Sequence, residues 1–294
     1  MKVGIVHFMA YPQTLTGEGP IAETIRRIAE DDFFSAVEVT TIKDSKVREE
    51  VARILEQSHL VVGYGAQPIL LTQKLNLNAF ESSERTRAVE AVKEAVNEAY
   101  MLGAAAVAVL SGPDPEEQRE EAMKLLVQSL SEICAYAKSS GQLRIILETF
   151  DQKVDKRCLI GPHKYAVKVA AQVRRAYPDF GLMLDLSHIP LQGETFKEAL
   201  QLAKEHLTHI HIGNCVMKEG HPAYGDQHPR FGLPGGENDV PEVVLFLREL
   251  FHIGYLGEGK QPIVAFEVKP LPGESSEVVI AGAKRTLMEA WSQV

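Results

Sequence analysis

The 294-residue chain carries 31 basic and 40 acidic side chains, and its net charge of −9 argues against a broad binding surface for nucleic acid. The hydrophobic content of 45% is ordinary for a globular protein, and no apolar run is long enough to cross a membrane. The three cysteines, an odd number without metal-site spacing, argue against a disulfide framework. We therefore expect a cytoplasmic protein with a small polar ligand and with no nucleic-acid or membrane partner.

Short apolar runs alternate with segments of helical period along the whole chain. The predicted strands are residues 3–8, 36–42, 59–64, 105–110, 144–149, 181–186, 208–213 and 262–268. The predicted helices are residues 21–31, 46–57, 83–102, 115–139, 163–176, 195–204, 240–251 and 276–291. This order, without a break in composition, predicts a single (β/α)8 TIM barrel over residues 1–294. A doubly wound sheet is the alternative fold.

Two connections have neither strand nor helix patterning. Residues 214–239 are rich in Gly and Pro and are too long for a routine connection, so we expect a loop over the C-terminal face of the barrel. Residues 67–80, after the third strand, are expected to form a shorter irregular loop. Loops at this face of a barrel often bind the substrate.

Four predicted strands each end in a side chain that can bind a metal. They are Glu148, Asp185, His211 and Glu267. A charged group at the end of a buried strand is costly unless something pairs with it, so four of them suggest one convergent site. Three carboxylates and one imidazole suit a divalent cation. His209 shares a face with His211 and is expected to be a hydrogen-bonded interior histidine.

These residues lie in motifs that resemble a known family. LETF contains Glu148, LDLSH contains Asp185 and His188, HIHIGN contains His211, and FEVKP contains Glu267. Together they resemble the xylose isomerase-like barrel superfamily, in particular its ketose 3-epimerase-like branch. The resemblance covers nearly the whole chain. It implies that the four strand-end residues bind one divalent metal and that the residue at His188 contacts substrate oxygen.

The resemblance also implies a reaction. We expect a metal-dependent isomerase or epimerase of a ketose, keto-polyol or keto-glycoside, with Glu148 and Glu267 as an acid/base pair around a metal-stabilised enediolate. Mn²⁺ is the expected ion, and Mg²⁺, Co²⁺ or Zn²⁺ also fit. A dehydratase of a keto-inositol-type substrate would share the proton abstraction and remains an alternative. Relatives are often dimers or tetramers, so a homo-oligomer is an expectation from the resemblance alone.

A D-x-H sequence, Asp226 and His228, follows the seventh strand. In the endonuclease branch of the superfamily such a pair joins the counterpart of His188 to bind a further zinc. The three residues therefore form a possible second metal site, although we favour lid-anchoring or substrate-binding roles. An apurinic endonuclease is disfavoured because this chain lacks histidines after the third and fourth strands. A barrel that binds sugar without turnover is disfavoured because both glutamates are present.

Further residues are candidate substrate contacts because of their position near the strand ends. The main candidates are His188, Asp226, His228, Arg230, His7 and Gln67. Weaker candidates are Tyr11, Glu38, Lys153, Lys156 and Arg157. Lysines in such positions are more often only solvated. No Gly-rich phosphate-binding loop is present, so nothing supports a phosphorylated substrate.

Overall fold

Eight parallel strands form one curved sheet in the computed structural model, which describes residues 1–294. The strands are β1 Lys2–Ile5, β2 Ala36–Val39, β3 Val61–Gly65, β4 Ala106–Val109, β5 Arg144–Glu148, β6 Gly181–Asp185, β7 Leu207–Gly213 and β8 Ile263–Glu267. Their order in the sheet is β1-β8-β7-β6-β5-β4-β3-β2. A parallel bridge between Val6 and Glu38 links the two ends of the sheet. The prediction of a single TIM barrel is confirmed.

Helices follow the strands. They are α1 His7–Ala10, α2 Ile21–Ala29, α3 Ser45–Ser58, α4 Gln67–Thr72, α5 Ser82–Met101, α6 Arg119–Ser140, α7 His163–Val173, α8 His188–Gln192, α9 Phe196–Ala203, α10 Val240–His252 and α11 Ser276–Trp291. Short 3-10 helices cover Pro12–Thr14 and Glu116–Gln118. No helix is long and apolar enough to span a bilayer.

The long helices are amphipathic, and local capping defines their starts. In α2 the buried residues Ile21, Ile25 and Ile28 lie at the spacing that places them on one helix face. In α9 the Thr195 hydroxyl accepts from the Glu198 backbone N–H at 3.2 Å, and the Glu198 carboxylate accepts from the Thr195 N–H at 3.0 Å. This reciprocal pair satisfies backbone donors that the first helical turn leaves free.

Two predicted element bounds are wrong. The first strand was predicted to reach residue 8, but it ends at Ile5, and α1 begins at His7. The prediction was too long because Phe8 is buried and continues the apolar run of the strand, although it lies in the helix. The connection after β3 was predicted to be irregular, but its first six residues form α4. Pro68 is in the first turn of α4, where its fixed φ suits a helix start. Short helices of this kind leave too little periodicity to be predicted.

Small apolar and paired polar side chains fill the barrel interior below the strand ends. Ala108, Ile146 and Met183 form a small buried cluster, and Glu38 is buried and hydrogen-bonded to His209. Gly63 leaves room for this pair, since a Cβ there would lie 3.0 Å from the Glu38 Cγ. The interior is therefore packed, and the active sites of such barrels lie at the C-terminal ends of the strands.

Candidate metal centre

Glu148, Asp185, His211 and Glu267 lie together at the C-terminal ends of β5, β6, β7 and β8. Each offers one ligand atom, and these four atoms lie within 4.8 Å of one another. Parallel strands place their carboxyl ends on the same face of a barrel, so residues far apart in the chain converge. The structure thus brings the four predicted ligands into one cluster.

The cluster contains polar atoms that need a partner. Glu148 Oε1 and Asp185 Oδ2 are buried and accept no hydrogen bond. A buried carboxylate oxygen without a donor is costly, and a cation removes that cost. Three carboxylates and an imidazole are also a suitable donor set for a divalent ion. The residues present therefore fit a metal.

Glu38 orients the histidine of this cluster. His211 Nε2 lies 2.9 Å from Glu38 Oε1, and a proton on Nε2 satisfies this contact. Nδ1 then faces the cluster, 2.6 Å from Glu267 Oε2 and 3.6 Å from Glu148 Oε1, and loss of its proton would leave a lone pair there for a cation. A carboxylate behind a ligating histidine fixes its tautomer and raises its basicity. His209 Nε2 lies 2.8 Å from the same Glu38 oxygen, which confirms the predicted role of His209.

Burial and neighbouring charges shift the pKa values in the cluster in opposite directions. Burial raises the pKa of Asp185, and nearby Glu267 adds to that rise, although the histidines His188 and His228 oppose it. Burial lowers the pKa of His211, but Glu38 and Glu267 outweigh it and hold that pKa well above its ordinary value. Burial would raise the pKa of Glu267, but His228 and His211 lower it. A bound cation would favour the ionised carboxylates and the unprotonated imidazole.

A second group of polar side chains adjoins the first. His188 Nδ1 donates to the Thr149 carbonyl at 2.7 Å, which leaves its Nε2 facing Asp226 Oδ1 at 3.0 Å. His228 Nε2 is 2.8 Å from the same oxygen, and His228 Nδ1 is 3.6 Å from Asp185 Oδ2. His228 has a positive φ of 49°, a conformation that the surrounding contacts must stabilise.

Lys156 also belongs to this second group. Its Nζ lies 3.2 Å from Asp226 Oδ2 and 3.1 Å from Asp155 Oδ2. Burial would lower the pKa of Lys156, but the two aspartates raise it. Asp226 therefore already has a cationic partner from within the chain.

A cavity of about 190 Å³ opens above the four-residue cluster. Phe8, Leu15 and Pro68 contribute to an apolar side, while Lys156 and Lys269 line it with polar groups. A larger groove of about 570 Å³ lies at the opposite ends of the strands, beside Arg144 and Phe180. That groove lies away from the candidate metal ligands, so the smaller cavity is the candidate substrate site.

The family model for the xylose isomerase-like TIM barrel matches residues 25–275. The chain belongs to this family. Solved structures that are similar to the chain include ketose 3-epimerases. No curated protein matches the chain.

Three solved structures illustrate the range of similar barrels. A D-tagatose 3-epimerase-like protein is 19% identical with a TM-score of 0.73, and the match covers 100% of this chain and 99% of that one. The IOLI protein with a bound zinc atom is 18% identical with a TM-score of 0.75, covering 100% and 99%. An AP endonuclease, family 2, from Brucella melitensis is 18% identical with a TM-score of 0.70, covering 97% and 100%. At these identities the likeness shows the fold.

The structure brings some of the predicted substrate contacts of this barrel to the cavity. Gln67, Asp226 and His228 line it, and Gln67 Nε2 donates to Glu148 Oε2 at 2.7 Å. His188 is buried behind Asp226 and reaches that carboxylate rather than the cavity. The cavity-facing residues stay predicted substrate contacts.

Two other predicted contacts are not brought to the cavity. His7 is buried, and its Nε2 lies 2.7 Å from the Thr24 hydroxyl on α2. Burial lowers the pKa of His7 to about 3, so it is neutral. Arg230 Nε donates to Glu274 Oε1 at 3.0 Å, and its side chain is not part of the cavity wall. Both were predicted from their place in the chain, which does not fix where a side chain points.

The weaker candidates divide in the same way. Lys156 lines the cavity, whereas Tyr11, Lys153 and Arg157 do not. Glu38 lies below the cavity and orients His211, a role that its strand position did not suggest. Sequence reasoning missed that role because the partners come from β2 and β7. A carboxylate within a buried strand was the available signal.

Proposed function

We propose that this chain is a divalent-metal-dependent isomerase or epimerase of a ketose or related keto-sugar. The observation that carries the proposal is the placement of Glu148 and Glu267 on two different strands, each with an oxygen in the four-ligand cluster and each lining one cavity. A pair of carboxylates at one small site suits the removal and return of a proton. The cavity-lining Lys156 and Gln227 suit a polar substrate.

In the proposed reaction, one glutamate removes the proton from the carbon next to the substrate carbonyl. The other glutamate starts protonated and delivers its proton to that carbon, or to the former carbonyl carbon in a 1,2-isomerisation, in which a hydroxyl proton also moves to the former carbonyl oxygen. The substrate keeps its composition, and the two glutamates end with their protonation states exchanged. A divalent ion held by the four ligands would polarise the carbonyl and stabilise negative charge on its oxygen. Gln67 donates to Glu148 Oε2 and so helps to fix the direction of that carboxylate.

The apolar side of the cavity supports this chemistry. Phe8, Leu15 and Pro68 reduce the access of water to the two glutamates. A site with less water strengthens electrostatic contacts and limits loss of the reacting proton to solvent. Ketose 3-epimerases among the structural neighbours support the same reaction class.

An endonuclease active site with three metals has less support. At the end of β3, Gln67 donates to Glu148, and just after β4 the Ser111 hydroxyl accepts from the Ile160 N–H at 2.9 Å. Neither residue is a histidine, so the histidine ligands expected after these strands are missing. The net charge of −9 is also unfavourable for DNA.

The proposed function is tested by proton exchange in D₂O. The chain is incubated with saturating Mn²⁺ and a panel of ketoses, inososes and 3-keto-glycosides, and deuterium on the substrate carbon is measured by NMR. We expect label next to the carbonyl of at least one substrate. Loss of water with a new ultraviolet absorbance would favour the dehydratase instead. No label and no dehydration across the panel would contradict the proposal.

Matched variants connect the exchange to the two glutamates. Glu148→Gln and Glu267→Gln each remove a proton acceptor, so we expect exchange to fall about 10²–10⁴-fold at saturating Mn²⁺. Glu274→Gln is the control, because Glu274 pairs with Arg230 outside the cluster. Its exchange rate should stay near that of the unmodified chain. Equal effects in all three variants would contradict the assignment of the two glutamates.

A further inference from the structure

We propose that the ammonium group of Lys156 takes the place of a second metal ion beside Asp226, so that this chain binds one divalent ion rather than two. The inference rests on the proposed function only in requiring a metal at the four-residue cluster. It assigns to Lys156 a role in metal stoichiometry rather than in chemistry on the substrate.

The contacts of Asp226 carry the argument. Its Oδ1 faces His188 Nε2 at 3.0 Å and His228 Nε2 at 2.8 Å. Its other oxygen, Oδ2, lies 3.2 Å from Lys156 Nζ, which also donates to the Asp226 carbonyl at 3.2 Å. The carboxylate is thus surrounded by two imidazoles and one ammonium. A dication at Oδ1 would lie close to that ammonium, and like charges sharing one carboxylate repel.

The position of Lys156 is fixed by its own loop. The buried Asp151 carboxylate accepts from four consecutive backbone N–H groups, those of residues 153–156, at 2.6–3.1 Å. Asp155 Oδ2 then accepts from the Asp226 N–H at 2.9 Å and from Gln227 at 3.2 Å. The loop after β5 is therefore joined to residues 226 and 227 at two adjacent points. Lys156 reaches Asp226 as part of this arrangement rather than as a solvated side chain.

The remaining side chains would suit a metal if the ammonium were absent. His188, His228 and Asp185 place one ligand atom each within 4.8 Å of one another, and Asp226 adjoins both histidines. His188 donates through Nδ1 to a backbone carbonyl, so Nε2 is the nitrogen that could bind a cation in exchange for its proton. Removal of the lysine charge should therefore open a second site.

The test is a metal count, which does not depend on catalytic activity. Unmodified chain, Lys156→Met and Lys156→Arg are equilibrated with excess Zn²⁺, dialysed, and analysed by inductively coupled plasma mass spectrometry. We expect one ion per unmodified chain, two per Lys156→Met chain, and one per Lys156→Arg chain because arginine keeps the positive charge. Lys156→Gln replaces Lys156→Met if the methionine variant does not fold.

Lys269→Met is the matched control. Lys269 lines the same cavity, but the lysine paired with Asp226 is Lys156, so this variant should bind one ion. Two ions in the unmodified chain, or one ion in the neutral variant (Lys156→Met, or Lys156→Gln in its place), would overturn the role of Lys156 while leaving the proposed function intact. No ion in any form would overturn the proposed metal-dependent function, and the inference with it.

Discussion

Glu38 accepts from two histidines and so determines how His211 faces the cluster. Burial would raise the pKa of Glu38, but His211 and His209 lower it below its ordinary value. Glu38 is therefore ionised, and it holds the Nε2 side of His211 in the barrel interior. This interaction leaves Nδ1 available to the four-residue cluster, which is the orientation that metal binding requires.

Replacement of Glu38 by glutamine should weaken metal binding. The variant loses the negative charge that raises the basicity of His211, so we expect metal affinity to fall about 10–100-fold. Mn²⁺ affinity measured by isothermal titration calorimetry checks this. Glu98→Gln is the control, because Glu98 is a buried glutamate on α5 that accepts from Tyr64 and the Ile42 N–H. If Glu38→Gln binds Mn²⁺ as tightly as Glu98→Gln, Glu38 does not act on the metal site.

Sequence alone could indicate the candidate metal ligands but not their supporting contacts. Glu148 and Glu267 were predicted because a carboxylate at the end of an apolar run is conspicuous. Gln67 was predicted as a substrate contact, yet its observed partner is Glu148, 81 residues away. Lys156 could not be separated from an ordinary surface lysine, since its partner lies 70 residues further along the chain. Such long-range pairs have no local pattern.

At the scale of elements, the end of β7 approaches β8 closely through a glycine. A Cβ on Gly213 would lie 2.6 Å from the Glu267 carbonyl oxygen and 3.1 Å from His228 Nδ1. Backbone atoms cannot move away as a flexible side chain can. The absence of a side chain at this position therefore lets the strand carrying His211 pack beside the strand carrying Glu267.

Gly213→Ala should consequently destabilise the barrel near the cluster. We expect the free energy of unfolding to fall by about 1–3 kcal/mol, because the added methyl group overpacks the β7–β8 contact. The midpoint of urea unfolding measures this change. Gly282→Ala is the control: a Cβ there meets nothing within 4 Å, and alanine within α11 should leave stability unchanged or raise it. Equal midpoints for the two variants would contradict the packing argument.

Long elements were predictable and short ones were not. The predicted helix over residues 276–291 matches α11, Ser276–Trp291, because sixteen residues contain several turns of apolar spacing. By contrast, α1 and α4 cover four and six residues. In α1 the apolar residues resemble a continuation of β1. Tertiary packing rather than sequence period decides such segments.

At the scale of the whole molecule, the barrel brings residues that are far apart in the chain to one place, because the ends of its strands lie on one face. Four consecutive strands, β5 to β8, each supply one cluster residue, and their neighbours in the sheet are also their neighbours in the chain. The sequence predicted this because eight strand–helix units favour one architecture. The barrel closes between β1 and β2, and this closure brings Glu38 close to His211. It depends on the complete barrel, so no local sequence pattern predicts it.

The central claim is that the four strand-end residues hold one divalent ion. It is tested most directly by crystals grown with Mn²⁺ and an anomalous difference map at the manganese edge. We expect one peak, at about 2.0–2.2 Å from oxygen or nitrogen atoms of Glu148, Asp185, His211 and Glu267. A peak between Glu38, His209 and His211, or no peak at the four residues in the presence of excess Mn²⁺, would contradict the claim.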